Sequence, residues 1–90
     1  MTGPDAVPLA LSGEIDRDSG PAIRALVMSA PTMVVEVDAS AVTFIDSAGL
    51  AVLVGIRTAL EAEGRRLVLV NRSANLDRLL QITDLTDLFT

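Results

Sequence analysis

The sequence predicts an α/β layer fold, a small central mixed β-sheet packed against three to four α-helices. Two observations carry that prediction. Segments with strand patterning alternate with segments of helical apolar spacing, in the order strand, helix, strand, helix, strand, helix. Two of the three strand segments are nearly continuous aliphatic runs, as expected of strands inside a sheet. Neighbours of this kind pair at least partly in parallel, through right-handed crossovers. With 90 residues the chain is read as one domain, 1–90.

Residues 1–6, "MTGPDA", are a polar lead rich in Gly and Pro that is expected to be loose. Val7, Leu9 and Leu11 alternate with smaller residues, so Val7 to Ser12 reads as a strand ending at Gly13. Asp18-Ser19-Gly20-Pro21 is a helix start, with Asp or Ser as cap and Pro in the first turn. Ile23, Leu26, Val27 and Ala30 then recur at helical spacing until Pro31. Met33 to Asp38 is the β-branched inner strand, read as covered on both faces, and Ala39 to Ile45 is a connection with some extended character. The longest helix is expected from Ser47 to about Glu63, burying Leu50, Leu53, Val54, Ile56 and Leu60 and stopped by Gly64. Leu67 to Val70 is the next buried strand. Asn75 caps a third helix that carries Leu76, Leu79, Leu80 and Ile82, and Leu85, Leu88 and Phe89 make one more turn.

Absences narrow the chemistry. There is no Cys, no His and no Lys, since all seven basic residues are Arg. That removes thiolate nucleophiles and zinc–sulfur sites, the usual general base, and the amine of Schiff-base or Walker-type phosphate chemistry. The sequence therefore reads as a non-enzyme. A net charge of −5 opposes nucleic-acid binding, which needs a basic face. The longest uncharged apolar stretch, Ser47 to Ile56, is well short of the roughly 20 residues that cross a bilayer. No basic leader opens the chain, so a soluble cytoplasmic protein with no membrane insertion is expected.

The segment "VTFIDSAGLAVLVGI", Val42 to Ile56, sets Asp46-Ser47-Ala48-Gly49 between two apolar runs. Two readings stand side by side. In the first, Asp or Ser is simply the N-cap of the main helix, worth about 1 kcal/mol. In the second, the turn is a site. Gly49 in a first helical turn costs roughly 1 kcal/mol relative to Ala, which is tolerable where something approaches the backbone closely. A strand-to-helix turn in an α/β layer is also where ligands and partners meet the sheet. A hydroxyl there can take a phosphate, stabilised by the helix N-terminus by about 0.3–1 kcal/mol and opposed by neighbouring Asp46.

Three stretches together resemble one family. "FIDSAGLAVLVGIRTALEAEGRRLVLVN" looks like the central motif of STAS domains of the anti-sigma-factor antagonist type. "LALSGEIDRDSGPAIRALV" is similar to that family's Gly-Glu-Leu-Asp strand and first helix, and "ANLDRLLQITDLTDLF" to its terminal helices. The resemblance runs from about Val7 to Phe89. It implies that Ser47 is the phosphoacceptor of an anti-sigma factor that is itself a serine kinase. The unphosphorylated form would bind that partner and free a sigma factor for transcription; the phosphorylated form would let go. Asp46 and Gly49 match the motif aspartate and glycine, and Asp16 matches the aspartate that closes "GEID", placed beside the phosphoacceptor. The longest helix is apolar over most of its girth, so Ala48, Ala51, Val52 and Gly55 read either as core or as a partly exposed docking patch, with Leu50 in the core. The expected partner-binding surface is Asp16, Asp46, Ser47, Ala48, Gly49, Ala51 and Val52. No cofactor or metal is expected, the ATP and Mg²⁺ belonging to the kinase; self-association is compatible with the sequence.

Two departures matter. Ala48 stands where many members carry Ser or Thr, and one strand precedes the first helix where the family usually begins with two. Ala48 also suits an alternative within the family, a regulatory subunit bound to the ATPase of an ABC transport system for lipids, with Ser47 as an unmodified contact. Outside the family, Asp38 as the strand-end phosphoacceptor of a receiver domain is opposed by the missing lysine. A metal-dependent hydrolase or small-molecule site on Asp16, Asp38 and Asp46 has carboxylates fit for Mg²⁺ but no supporting motif.

Overall fold

The computed structural model describes residues 8–90. The expected loose lead, Val7 of the first strand and any additional N-terminal strand lie outside those residues. The chain runs β1 (Leu9–Ile15), α1 (Gly20–Met28), β2 (Val34–Ile45), α2 (Ser47–Ala62), β3 (Arg66–Val70) and α3 (Ala74–Ile82). The sheet order is β1-β2-β3. Both pairings are parallel, so among the described residues the sheet is parallel throughout, not mixed.

Helices α1 and α2 pack against each other, which is why Gly20 is buried: a Cβ there would stand 3.0 Å from Val52 Cγ2. The strands turn Leu11, Ile15, Val35, Val37, Leu67 and Leu69 into the core, where Ile23, Val27, Leu53, Ile56 and Leu60 meet them. Ala10, Ser12, Glu14, Val34 and Glu36 are exposed. The central strand is therefore covered on one face only, contrary to the reading of Met33 to Asp38 as doubly buried. Its composition misled because Val34 is as β-branched as Val35, yet the pleat sends them to opposite sides.

Both strands outrun their expected ends. Strand β1 continues through Gly13, whose φ of +80° suits glycine, and reaches Ile15, which is fully buried. Strand β2 includes Ala39 to Ile45, expected to be a connection. Its register against β1 shifts twice: Ala10 and Ser12 pair with Asp38 and Ala41, and Gly13 and Glu14 with Val42 and Phe44. Each shift inserts an extra β2 residue, which breaks the period-2 pattern without ending the strand.

Beyond Asp38 the partner β3 has ended, and α3 packs against β2 instead. Helix α3 is capped by Ser73, whose Oγ accepts from Leu76 N at 3.3 Å, rather than by Asn75. Leu76 and Leu80 are its buried residues, while Ile82 is 69% exposed. Two residues past Leu80 amount to roughly 200° around the helix, so Ile82 cannot share its face. For the same reason Leu26, one residue from buried Val27, is exposed on α1. The last turn buries Phe89 completely, and its carbonyl accepts from Leu69 N at 2.9 Å. Arg57 Nε holds the Leu88 carbonyl at 2.9 Å and Arg72 Nη1 the Thr86 carbonyl at 2.8 Å, fixing this segment along β3.

Candidate functional site

Asp46 leaves β2 in an extended conformation, φ −113° and ψ −175°, and its carboxylate accepts from Gly49 N at 2.8 Å. It is the N-cap of α2, and its own carbonyl accepts from Leu50 N at 2.9 Å. Ser47 is therefore the first helical residue, and it is exposed, as are Ala48 and Ala51. By helix geometry the amides of Ser47 and Ala48 have no acceptor within the helix. An oxyanion added to Ser47 lies at the positive end of a 16-residue helix. Both readings of "DSAG" thus describe the same turn: aspartate caps, and the cap leaves the serine free.

Gly49 belongs to the frame under the site, not to its exposed surface. It is buried, and an ideal Cβ on it would lie 2.0 Å from the Ile15 carbonyl oxygen, 2.7 Å from that carbon and 3.0 Å from Ile45 Cγ1. What approaches this backbone is the end of β1 in its own chain. The glycine lets the mouth of α2 sit directly on the sheet, so Ser47 is presented at a fixed height above it.

The end of β1 supplies the second wall. Asp16 and Ser19 close the loop into α1 reciprocally: Asp16 N donates to Ser19 Oγ, Ser19 N donates to Asp16 Oδ1, and Ser19 Oγ donates to the Asp16 carbonyl, each at 3.0 Å. This occupies the Ser19 hydroxyl, so α1 starts without a side-chain cap. Asp16, Arg17, Asp18, Asp46 and Ala48 line one shallow depression of about 260 Å³, and Ser47 stands between the last two of them in the chain. The structure brings Asp16 into the depression that Asp46 and Ala48 line. Arg17, which the sequence reading passed over, brings a cation to a rim otherwise acidic.

Of the remaining predicted surface residues, Ala48, Ala51 and Gly55 are exposed on α2, whereas Val52 is half-buried against Gly20. Asp38 lies apart from the site. It sits inside β2, paired with Val70, and not at a strand end as the receiver reading required. Ser40 donates to its Oδ1 from the hydroxyl at 2.7 Å and the amide at 2.9 Å, and Asn71 Nδ2 donates to its Oδ2 at 3.1 Å. These bonds, the Ser40 hydroxyl first, hold its carboxyl below the ordinary aspartate value. Among the described residues no group of three or more His, Cys, Asp or Glu side chains is arranged to hold a metal ion. No helix there is long and apolar enough to cross a membrane.

Comparisons with known proteins bear on the family and the fold. A protein-family model described as "Mlab, STAS domain" matches residues 2–90. The chain belongs to the STAS family. Over 87 residues it is 32% identical to an anti-sigma-B factor antagonist of Listeria monocytogenes serovar 1/2a, covering 93% of this chain and 76% of that protein. The corresponding protein of Listeria innocua serovar 6a matches with the same figures. The structure of the anti-sigma factor antagonist SpoIIAA in its unphosphorylated form superposes with a TM-score of 0.68 at 26% identity, over 86% of this chain and 70% of that one. The STAS domain of a SulP transporter from Vibrio cholerae shares the fold, with a TM-score of 0.64 at 14% identity over 98% of this chain and 74% of its own.

Proposed function

We propose that this STAS domain is an anti-sigma-factor antagonist with no enzymatic activity of its own. Unmodified, it binds an anti-sigma factor that is also a serine kinase, freeing a sigma factor for transcription. Phosphorylation of Ser47 by that partner, using the partner's ATP and Mg²⁺, releases it. The observation that carries this reading is exposed Ser47 at the mouth of α2, between Asp46 and Ala48, which line a depression together with Asp16. The 32%-identical Listeria antagonists support it.

The switch needs no refolding. A phosphate adds about −1.5 to −2 charges. A partner whose basic groups are already paired with Asp16 and Asp46 would bury that added charge without a further counter-ion. That costs several kcal/mol, and even about 3 kcal/mol weakens binding more than a hundredfold. Ser47→Glu is therefore expected to lose the partner while keeping wild-type circular dichroism, and Ser47→Ala to bind without being released by ATP. The decisive experiment incubates the protein with candidate anti-sigma factors and ATP, then measures intact mass and maps the site. One phosphate at Ser47 supports the proposal; modification elsewhere, or a folded Ser47→Glu protein that binds as tightly as wild type, overturns it.

Exposed Ala48 keeps a second reading in play, since it leaves the turn with one hydroxyl where antagonists often have two. A regulatory subunit on the ATPase of an ABC transport system would use the same rim with Ser47 as an unmodified contact. Tight binding to such an ATPase, with no phosphate transferred by any anti-sigma factor, selects that reading.

A further inference from the structure

We infer that Phe44 is the apolar anchor of the docking surface, aimed outward by the bulge at Thr43. The inference rests on the proposed antagonist role, because it assigns the same partner a second point of attachment. Along β1, Leu11 and Ile15 face the core while Ser12 and Glu14 face away. Strand β2 follows in step at Gly13↔Val42 and then jumps to Glu14↔Phe44, leaving Thr43 as the extra residue. Without that extra residue, Phe44 would stand opposite Ile15 and take its inward face. With it, Ile45 stands opposite Ile15 in the core, and Phe44 is 49% exposed opposite Glu14. Bulges beside functional sites re-aim side chains in this way.

The irregularity is supported from outside the strand. Asn75 Nδ2 of α3 donates to the Thr43 carbonyl, at the residue where the register shifts. Asn75 has no capping duty, since Ser73 caps α3. The sequence holds only two aromatic residues; Phe89 is fully buried, and Phe44 is turned toward solvent within three residues of Ser47. Three residues of extended chain span at most about 10 Å, so one partner covering about 800 Å² reaches both. Aromatic residues are enriched in protein interfaces, and an aromatic anchor buried in a partner's pocket is the kind of contact that carries affinity.

The surroundings define the partner's chemistry. Glu14 stands opposite Phe44, and Asp16, Asp18 and Asp46 share with Arg17 the depression at this end of the sheet. The matching surface is an apolar pocket ringed by basic side chains, belonging to the anti-sigma factor that reaches Ser47.

The test is calorimetric titration of an anti-sigma factor with wild type, Phe44→Ala, Phe44→Gln, Ser47→Glu and Met33→Ala. Met33 is 62% exposed just before the far end of the same strand, so it controls for general apolar adhesion. Both Phe44 variants are expected to bind at least about tenfold more weakly, and Met33→Ala within about twofold of wild type. Thermal unfolding verifies that each variant is folded, and Phe44→Gln decides if Phe44→Ala is not. Wild-type affinity in a folded Phe44 variant, alongside loss in Ser47→Glu, overturns the anchor and leaves the antagonist role standing. An equal loss in Met33→Ala also overturns it. Failure of wild type to bind any anti-sigma factor overturns both.

Discussion

Gly49→Ala separates local propensity from tertiary packing, because the two predict opposite signs. Helix propensity alone makes alanine better than glycine in α2 by about 1 kcal/mol. The structure puts the added methyl 2.0 Å from the Ile15 carbonyl oxygen, where ordinary contact begins near 3.4 Å. The overlap of about 1.4 Å is with backbone at the end of β1, at fully buried Ile15, and no rotamer relieves it. Overpacking of this kind costs typically 1–3 kcal/mol and more against an unyielding neighbour, so a net loss of about 3 kcal/mol is expected. A 90-residue domain has roughly 5–13 kcal/mol in total. The thermal midpoint should fall on the order of 15 °C. Gly55→Ala, in the same helix with nothing within 4 Å of its Cβ, should instead stabilise by about 1 kcal/mol. Thermal and urea unfolding of the three proteins measures both. If Gly49→Ala is as stable as wild type, the close seating of α2 on β1 is wrong, and with it the fixed presentation of Ser47.

Further predictions follow from other positions. Helix α3 ends with Asp84 at φ 60°, with Leu85 N bonded to the Leu80 carbonyl at 2.8 Å and Asp84 N to the Gln81 carbonyl at 3.1 Å, a terminus that favours glycine. Asp84→Gly should therefore raise stability by about 1 kcal/mol in urea unfolding. Asp38 has a folded-state value below its ordinary 3.8, so its contribution is present above that pH and is lost as pH falls through the lowered value. Asp38→Asn should flatten the stability profile in that acid window, measured by unfolding as a function of pH; an unchanged profile refutes the role of Ser40 and Asn71. Ser47→Glu and Phe44→Ala, described above, test the surface and not the frame.

The alternation of strands and helices was legible because periods of two and of 3.6 differ so plainly. The ends of α2 were also legible: Asp46 caps it, and Gly64 at φ +74° stops it. The second half of β2 was hidden because its two extra residues break alternation just where small and polar residues, Ala39 to Thr43, weaken the apolar signal. Phe44 beside Ile45 reads as core, and only the register shows that they face opposite ways. The meeting of Asp16 with Asp46 joins two strand ends 30 positions apart, so it was reachable through family resemblance and not through local pattern. Arg57, Arg65 and Arg72 hold carbonyls of distant segments, contacts that leave no periodic trace in sequence.

The site divides into parts that cannot move and parts that can be changed. Asp46 caps, Gly49 touches the Ile15 carbonyl, and Asp16 is engaged with Ser19, so each conserves the shape of the turn. Ser47, Ala48 and Ala51 are exposed beside them. A charge placed on Ser47 therefore acts on whatever lies above the turn and leaves the turn itself intact. Because the frame is fixed, the energy of that charge is not dissipated by relaxation of the domain and falls on the contact with the partner. Under the proposed function, a single hydroxyl would thus be sufficient for a switch worth several kcal/mol in a domain whose whole stability is of similar size. For the same reason the variants that abolish release should leave the unfolding curve where it was.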